Sequence, residues 1–144
     1  MMINEKNGTP IDRISDFVTM QWVDNKRIAL FVVNSSNRHE VGAWADKVET
    51  IITSWRKDSP YAVLHDVTKA FLSPYAQKRA LGLLHLLQEN QVKGRYAVVV
   101  SNTIFGRAIA RFVNFTLRPR GGQEFMGKTF TSQDVALAWL REQF

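Results

Sequence analysis

The chain has 144 residues, of which 45% are hydrophobic, 11% aromatic and 22% charged, the make-up of one ordinary globular domain that can close a core without a staple. It has no cysteine, which excludes thiol nucleophiles, disulfide frames and thiolate metal sites, and its longest apolar runs, Ile28 to Val33 and Val135 to Leu140, fall far short of the roughly 20 residues that span a bilayer. The net charge of +6 is localised, because Lys93, Arg95, Arg107, Arg111, Arg118 and Arg120 lie in a stretch from Asn90 to Gln123 that holds no Asp or Glu.

The opening MMINEKNGTP is polar, carries Gly8 and Pro10 and lacks the apolar stretch of a signal peptide. It predicts a flexible leader over residues 1–13 and a cytosolic protein, with a single domain over 14–144. From Ile14 the pattern alternates, with Val18, Met20 and Trp22 on one face, until Asp24-Asn25-Lys26 supplies a turn. The strand after it, IALFVV, is apolar on both faces and so belongs in the middle of a sheet covered on both sides.

Past the polar loop Asn34–Asn37, the residues Val41, Trp44, Val48, Ile51, Ile52 and Trp55 step by three and four, which predicts an amphipathic helix ending before Asp58-Ser59-Pro60. YAVLHD over 61–66 is a third strand. Ser73-Pro74 then places a capping hydroxyl before a first-turn proline, and Ala76, Ala80, Leu83, Leu84 and Leu87 form the apolar face of a helix with Gly94 as its left-handed stop. YAVVV over 96–100 is a fourth strand, followed by Ser101-Asn102-Thr103 and a helix from Ile104 to Leu117. Phe125 to Phe130 is an edge strand interrupted by Gly127. The last helix is capped by Thr131 with Asp134 three residues on, and Phe130 can staple against Val135.

A hairpin followed by alternating helix and strand requires parallel crossovers. The prediction is an α/β sandwich, its sheet mixed but mostly parallel, with about five strands, an N-terminal antiparallel hairpin and about four helices. The hairpin, the aspartate closing the third strand in VLHDVT, the serine-opened helix and the ending FTSQDVALAWL, with Phe130, Ala136, Trp139 and Leu140, resemble the STAS-like family. That family takes in anti-sigma-factor antagonists and stand-alone SpoIIAA-like and SEC14-like proteins. The resemblance covers residues 14–144 and implies a small non-enzymatic domain that binds a protein, nucleotide or lipid. Ser73 falls about where phosphoswitch members carry a modified serine, which makes it the candidate modification site. The sequence there reads Phe71-Leu72-Ser73-Pro74-Tyr75, without the Asp-Ser-Ser-Gly of those members.

On a wheel of about 100° per residue, Arg107, Arg111 and Asn114 lie on one side of the helix over 104–117, with Phe105, Ile109, Phe112 and Thr116 opposite. Arg118 extends the basic stripe, and Arg120 follows it. Guanidinium groups fork onto carboxylate and phosphate oxygens, so Arg107, Arg111, Arg118 and Arg120 form a candidate contact surface. Asn102 joins them at a strand end whose helix N-terminus can receive an anion. The expected partner is an acidic protein or an anionic small ligand, with RNA or anionic lipid as the polyanion alternative. An enzyme working from Asp66, Ser73 and Asn102 is the other alternative. His65 and Asp66 point to opposite faces of their strand and cannot readily share one substrate atom, so Asp66 is read as capping a loop. No residue pattern calls for a metal or cofactor. An edge strand and an apolar helix face would allow a two-fold contact between copies.

Overall fold

A computed structural model describes residues 2–4, 9–116 and 125–144. Four antiparallel strands come first, β1 (Met2–Asn4), β2 (Thr9–Ser15), β3 (Val18–Val23) and β4 (Ile28–Val33). Three parallel strands continue the same sheet, β5 (Tyr61–Asp66), β6 (Gly94–Val99) and β7 (Phe125–Phe130). Between and after them run α1 (Arg38–Ser54), α2 (Pro74–Glu89), α3 (Ile104–Thr116) and α4 (Gln133–Arg141). The spatial order of the seven strands is their order in the chain.

That order fixes the layers. Because the parallel strands advance in one direction, right-handed crossovers put all three connecting helices on one face of the sheet. Apolar residues of α1, α2 and α3 meet Met20, Phe31, Tyr61, Val63, Tyr96 and Val98 on that face. The C-terminal α4 covers the other, where Ala136, Leu137 and Leu140 pack on Ile28, Leu30, Leu64 and Val99. β4 and β5 are therefore apolar on both sides, as IALFVV requires, and β7 is an edge.

Two expectations need correction. Residues 9–13 are not a leader but part of β2, paired through Ile11↔Gln21 and Arg13↔Thr19, and the sheet has seven strands where about five were expected. A strand near the sheet margin, here paired on both sides by β1 and β3, is held chiefly by backbone ladder bonds, so a polar sequence such as TPIDRIS can form one without an apolar pattern. The carboxyl group of Glu40, itself buried, ties α1 to this hairpin by accepting from the Ser15 hydroxyl and, at 3.1 Å, from Phe17 N–H.

Capping follows the sequence in two helices and shifts in a third. Asn37 caps α1 through His39 N–H at 2.9 Å, and Ser73 caps α2 through Ala76 N–H at 3.1 Å with Pro74 behind it. For α4 the cap is Ser132, one residue after Thr131, and Phe130 packs on Trp139 at 5.5 Å between ring centroids while Val135 stays exposed. At the end of α2 the left-handed residue is Gln91 rather than Gly94. Gly94 instead opens β6 with φ +145°, where a Cβ would stand 2.3 Å from Tyr61 O, so only glycine fits.

Candidate functional site

The three helices on one face do not all close against one another. α3 rests chiefly on β7, and α1 packs on α2, which leaves α2 and α3 apart. Between them opens a cavity of ≈130 Å³. Ala76, Ala80 and Leu84 of α2 form one wall, Ile109, Phe112 and Val113 of α3 the other, and the floor is the sheet. The α2 face that reads as core in sequence is thus a cavity wall, and its two alanines, one helical turn apart, supply the room. Phe71, 53% exposed, stands at the rim, with its ring centroid 6.4 Å from that of Phe105, 60% exposed. Phe105, expected on the buried side of α3, is therefore at the surface.

The floor carries the polar groups. His65 on β5 is only 8% exposed and is clasped by rings, stacked on Phe31 at 5.7 Å, edge-on to Trp44 at 5.4 Å and to Tyr96 at 6.4 Å. Trp44 Nε1–H donates to His65 Nδ1 at 3.1 Å. Indole is a donor only, so Nδ1 is the unprotonated nitrogen and Nε2 carries the hydrogen. Burial pushes the His65 pKa down to about 4, which keeps the ring neutral. No described residue accepts from Nε2, nor do the Tyr61 and Tyr96 hydroxyls have a described partner, yet none of these atoms is fully enclosed by protein. All three residues line the cavity. Burial raises both phenol pKa values, and the neighbouring Tyr61 raises that of Tyr96 further.

A second hollow lies at the carboxyl ends of β6 and β7, lined by Ser101, Asn102, Gly106, Arg107, Thr131 and Ser132 among others. Asn102 and Arg107 are thus brought together, both exposed. Arg111 is exposed one turn along α3, and neither arginine has an acidic partner among the described residues. Thr103 caps α3 by accepting from Gly106 N–H at 3.2 Å. Arg118 and Arg120 lie outside the described residues. Arg95 does not join this surface, because it is turned to α4, donating to Trp139 O at 2.8 Å and pairing with Glu142 at 3.1 Å.

Asp66, Ser73 and Asn102 do not assemble. Asp66 accepts from Thr68 N–H at 3.1 Å, Thr68 Oγ1 at 2.8 Å and Gln133 Nε2 at 3.2 Å, while Ser73 serves as the α2 cap. Asp66 thereby caps its loop, as read from the sequence. Neither of the two cavities contains more than one of the three. Among the described residues no helix is long and apolar enough to cross a membrane.

A solved structure shares this architecture, that of an uncharacterised DUF3478-family protein with a SpoIIAA-like fold from Shewanella loihica PV-4. It aligns with a TM-score of 0.53 and 20% identity, over 92% of this chain and 91% of the other. This chain has the SpoIIAA-like fold. No family model and no curated protein matches the sequence. The fold implied by the STAS-like resemblance is the one found, and with identity this low the likeness extends to the SpoIIAA-like frame alone.

Sequence reasoning missed His65 as a site residue. It weighed His65 only against Asp66, the neighbour on the opposite face, whereas its partner Trp44 is 21 residues away on α1. The usable signal was a histidine in a largely apolar strand, preceded by a helix whose apolar stripe carries a tryptophan.

Proposed function

We propose that this SpoIIAA-like domain works by binding, and that its ligand is a small, mainly apolar molecule held in the cavity between α2, α3 and the sheet. The observation that carries the reading is the cavity itself, ≈130 Å³ walled by alanine, leucine, valine and phenylalanine. A comparable apolar cavity of about 150 Å³ engineered into another protein takes up benzene, so the occupant has the size of a single ring or a short branched chain. Apolar walls with a few convergent polar groups are the usual make-up of a ligand pocket.

Toluene titrated into the protein should move the indole N–H signal of Trp44 in ¹⁵N–¹H spectra and saturate. Ala80→Phe would fill the cavity from its α2 wall and should abolish that response while the protein stays folded. Absence of a saturable response in the parent protein would overturn the reading.

A second reading concerns α3. Exposed Arg107 and Arg111, without an acidic partner among the described residues and with Arg107 beside Asn102, favour contact with an acidic protein face or an anionic small ligand. The two readings occupy different parts of the molecule and do not compete.

A further inference from the structure

We infer that the ligand of the apolar cavity carries a hydrogen-bond-accepting oxygen, a neutral carbonyl or ether, that meets the Nε2–H of His65 on the cavity floor. The inference rests on the cavity being the ligand site and adds the chemical class of what enters it.

An N–H that borders an apolar cavity and has no acceptor among the described residues takes its acceptor from whatever occupies the cavity, since polar side-chain atoms away from bulk water are almost always partnered. His65 is more than nine-tenths buried, and its Nδ1 is already occupied by Trp44. The Trp44 contact and the stack on Phe31 hold the ring in place, so Nε2–H cannot swing elsewhere for a partner. The hydroxyls of Tyr61 and Tyr96 lie on the same floor and can also donate. A ligand that is wholly hydrocarbon would leave these donors dry, whereas one oxygen at the floor satisfies at least one of them.

The oxygen belongs to a neutral molecule. No described Lys or Arg lines the cavity, and the imidazole facing it is uncharged, so a carboxylate would lose its hydration without gaining a counter-charge. The size of the cavity restricts the rest to about six to eight heavy atoms. A cyclic or branched ketone, or a cyclic ether, fits both demands.

The test compares cyclohexanone with methylenecyclohexane, which replaces C=O by C=CH₂ at nearly constant shape. The variant Trp44→Phe/His65→Phe removes donor and acceptor together, so no orphan is left to unfold it. The carbonyl gives up its water hydrogen bonds on entering either cavity, and only the parent protein replaces one of them. The ratio of ketone to alkene affinity should therefore be about tenfold higher in the parent protein than in the variant, the worth of a typical net hydrogen bond, and the His65 Nε2 resonance should shift more with the ketone than with the alkene. A ratio that is the same in both proteins would overturn the inference and leave the cavity reading standing. Failure of both probes to bind would overturn the cavity reading and this inference with it.

Discussion

The first turn of α3 lies so close to the end of β6 that a Cβ on Gly106 would stand 1.8 Å from the carbonyl oxygen of Ser101. No side-chain rotation can relieve a clash with backbone, so Gly106→Ala must push α3 off the strand end. Stability should fall by about 2 kcal/mol or more, as in other overpacked sites. Since α3 forms a wall of the cavity, ligand affinity should fall with it. The contrast is Gly82, exposed on α2, where an added Cβ meets nothing within 4 Å. Gly82→Ala should stabilise by about 0.5–1 kcal/mol, because alanine has less backbone freedom to lose. Urea titration of both variants checks the opposite signs.

His65 gives folding a pH dependence whose sign follows from its lowered pKa. Its ordinary value is 6.5 and burial takes it to about 4 in the folded protein. Between those values the unfolded chain binds the proton and the native state does not. This contribution is therefore fully present above about pH 6.5, is lost progressively as pH falls toward 4, and levels off below that. Over the whole window it amounts to about 3 kcal/mol. Among the described residues lining the cavity, the other titratable groups are the Tyr96 and Tyr61 phenols, and they stay neutral throughout. Unfolding free energies measured from pH 7.5 to 4 should show a slope that the Trp44→Phe/His65→Phe variant lacks.

The arginine face of α3 predicts a salt-dependent contact. If Arg107 and Arg111 both reach phosphate, binding of a fluorescent RNA oligomer should weaken steeply with ionic strength. Arg107→Ala/Arg111→Ala should then reduce the slope of log affinity against log salt by about 2. Anionic vesicles run in parallel separate a general polyanion surface from one that prefers RNA. No binding by either probe would remove the polyanion targets and leave an acidic protein as the partner to seek.

Much of the frame was legible because it is written locally. IALFVV, short, β-rich and apolar throughout, reads as a strand covered on both sides, and Ser73-Pro74 starts a helix by capping and fixed φ. Strand β2 was not legible, since its pairing partners supply the order and its own residues are mostly polar. The cavity was illegible for a different reason. Ala76, Ala80 and Leu84 form the same apolar stripe whether the helix opposite touches them or stands away, and periodicity reports a face, not what fills the space in front of it. His65 and Trp44, like Glu40 and Phe17, meet only through the fold.

Glu40 is the other buried polar side chain whose removal has a definite consequence. It is 5% exposed and accepts from the Ser15 hydroxyl and from Phe17 N–H, so it closes the backbone of the β2–β3 turn against the first turn of α1. Glu40→Ala strips the acceptor from a backbone donor and should lower stability by about 2 kcal/mol. Glu40→Gln keeps one oxygen for Phe17 N–H and should recover about half of that. Hydrogen exchange gives the sharper readout. In Glu40→Ala the Phe17 amide and the β2–β3 ladder should lose protection before the rest of the sheet does. In Glu40→Gln, Phe17 should remain protected. Loss that is uniform over all strands would mean the carboxyl group contributes to the whole core and not to this turn.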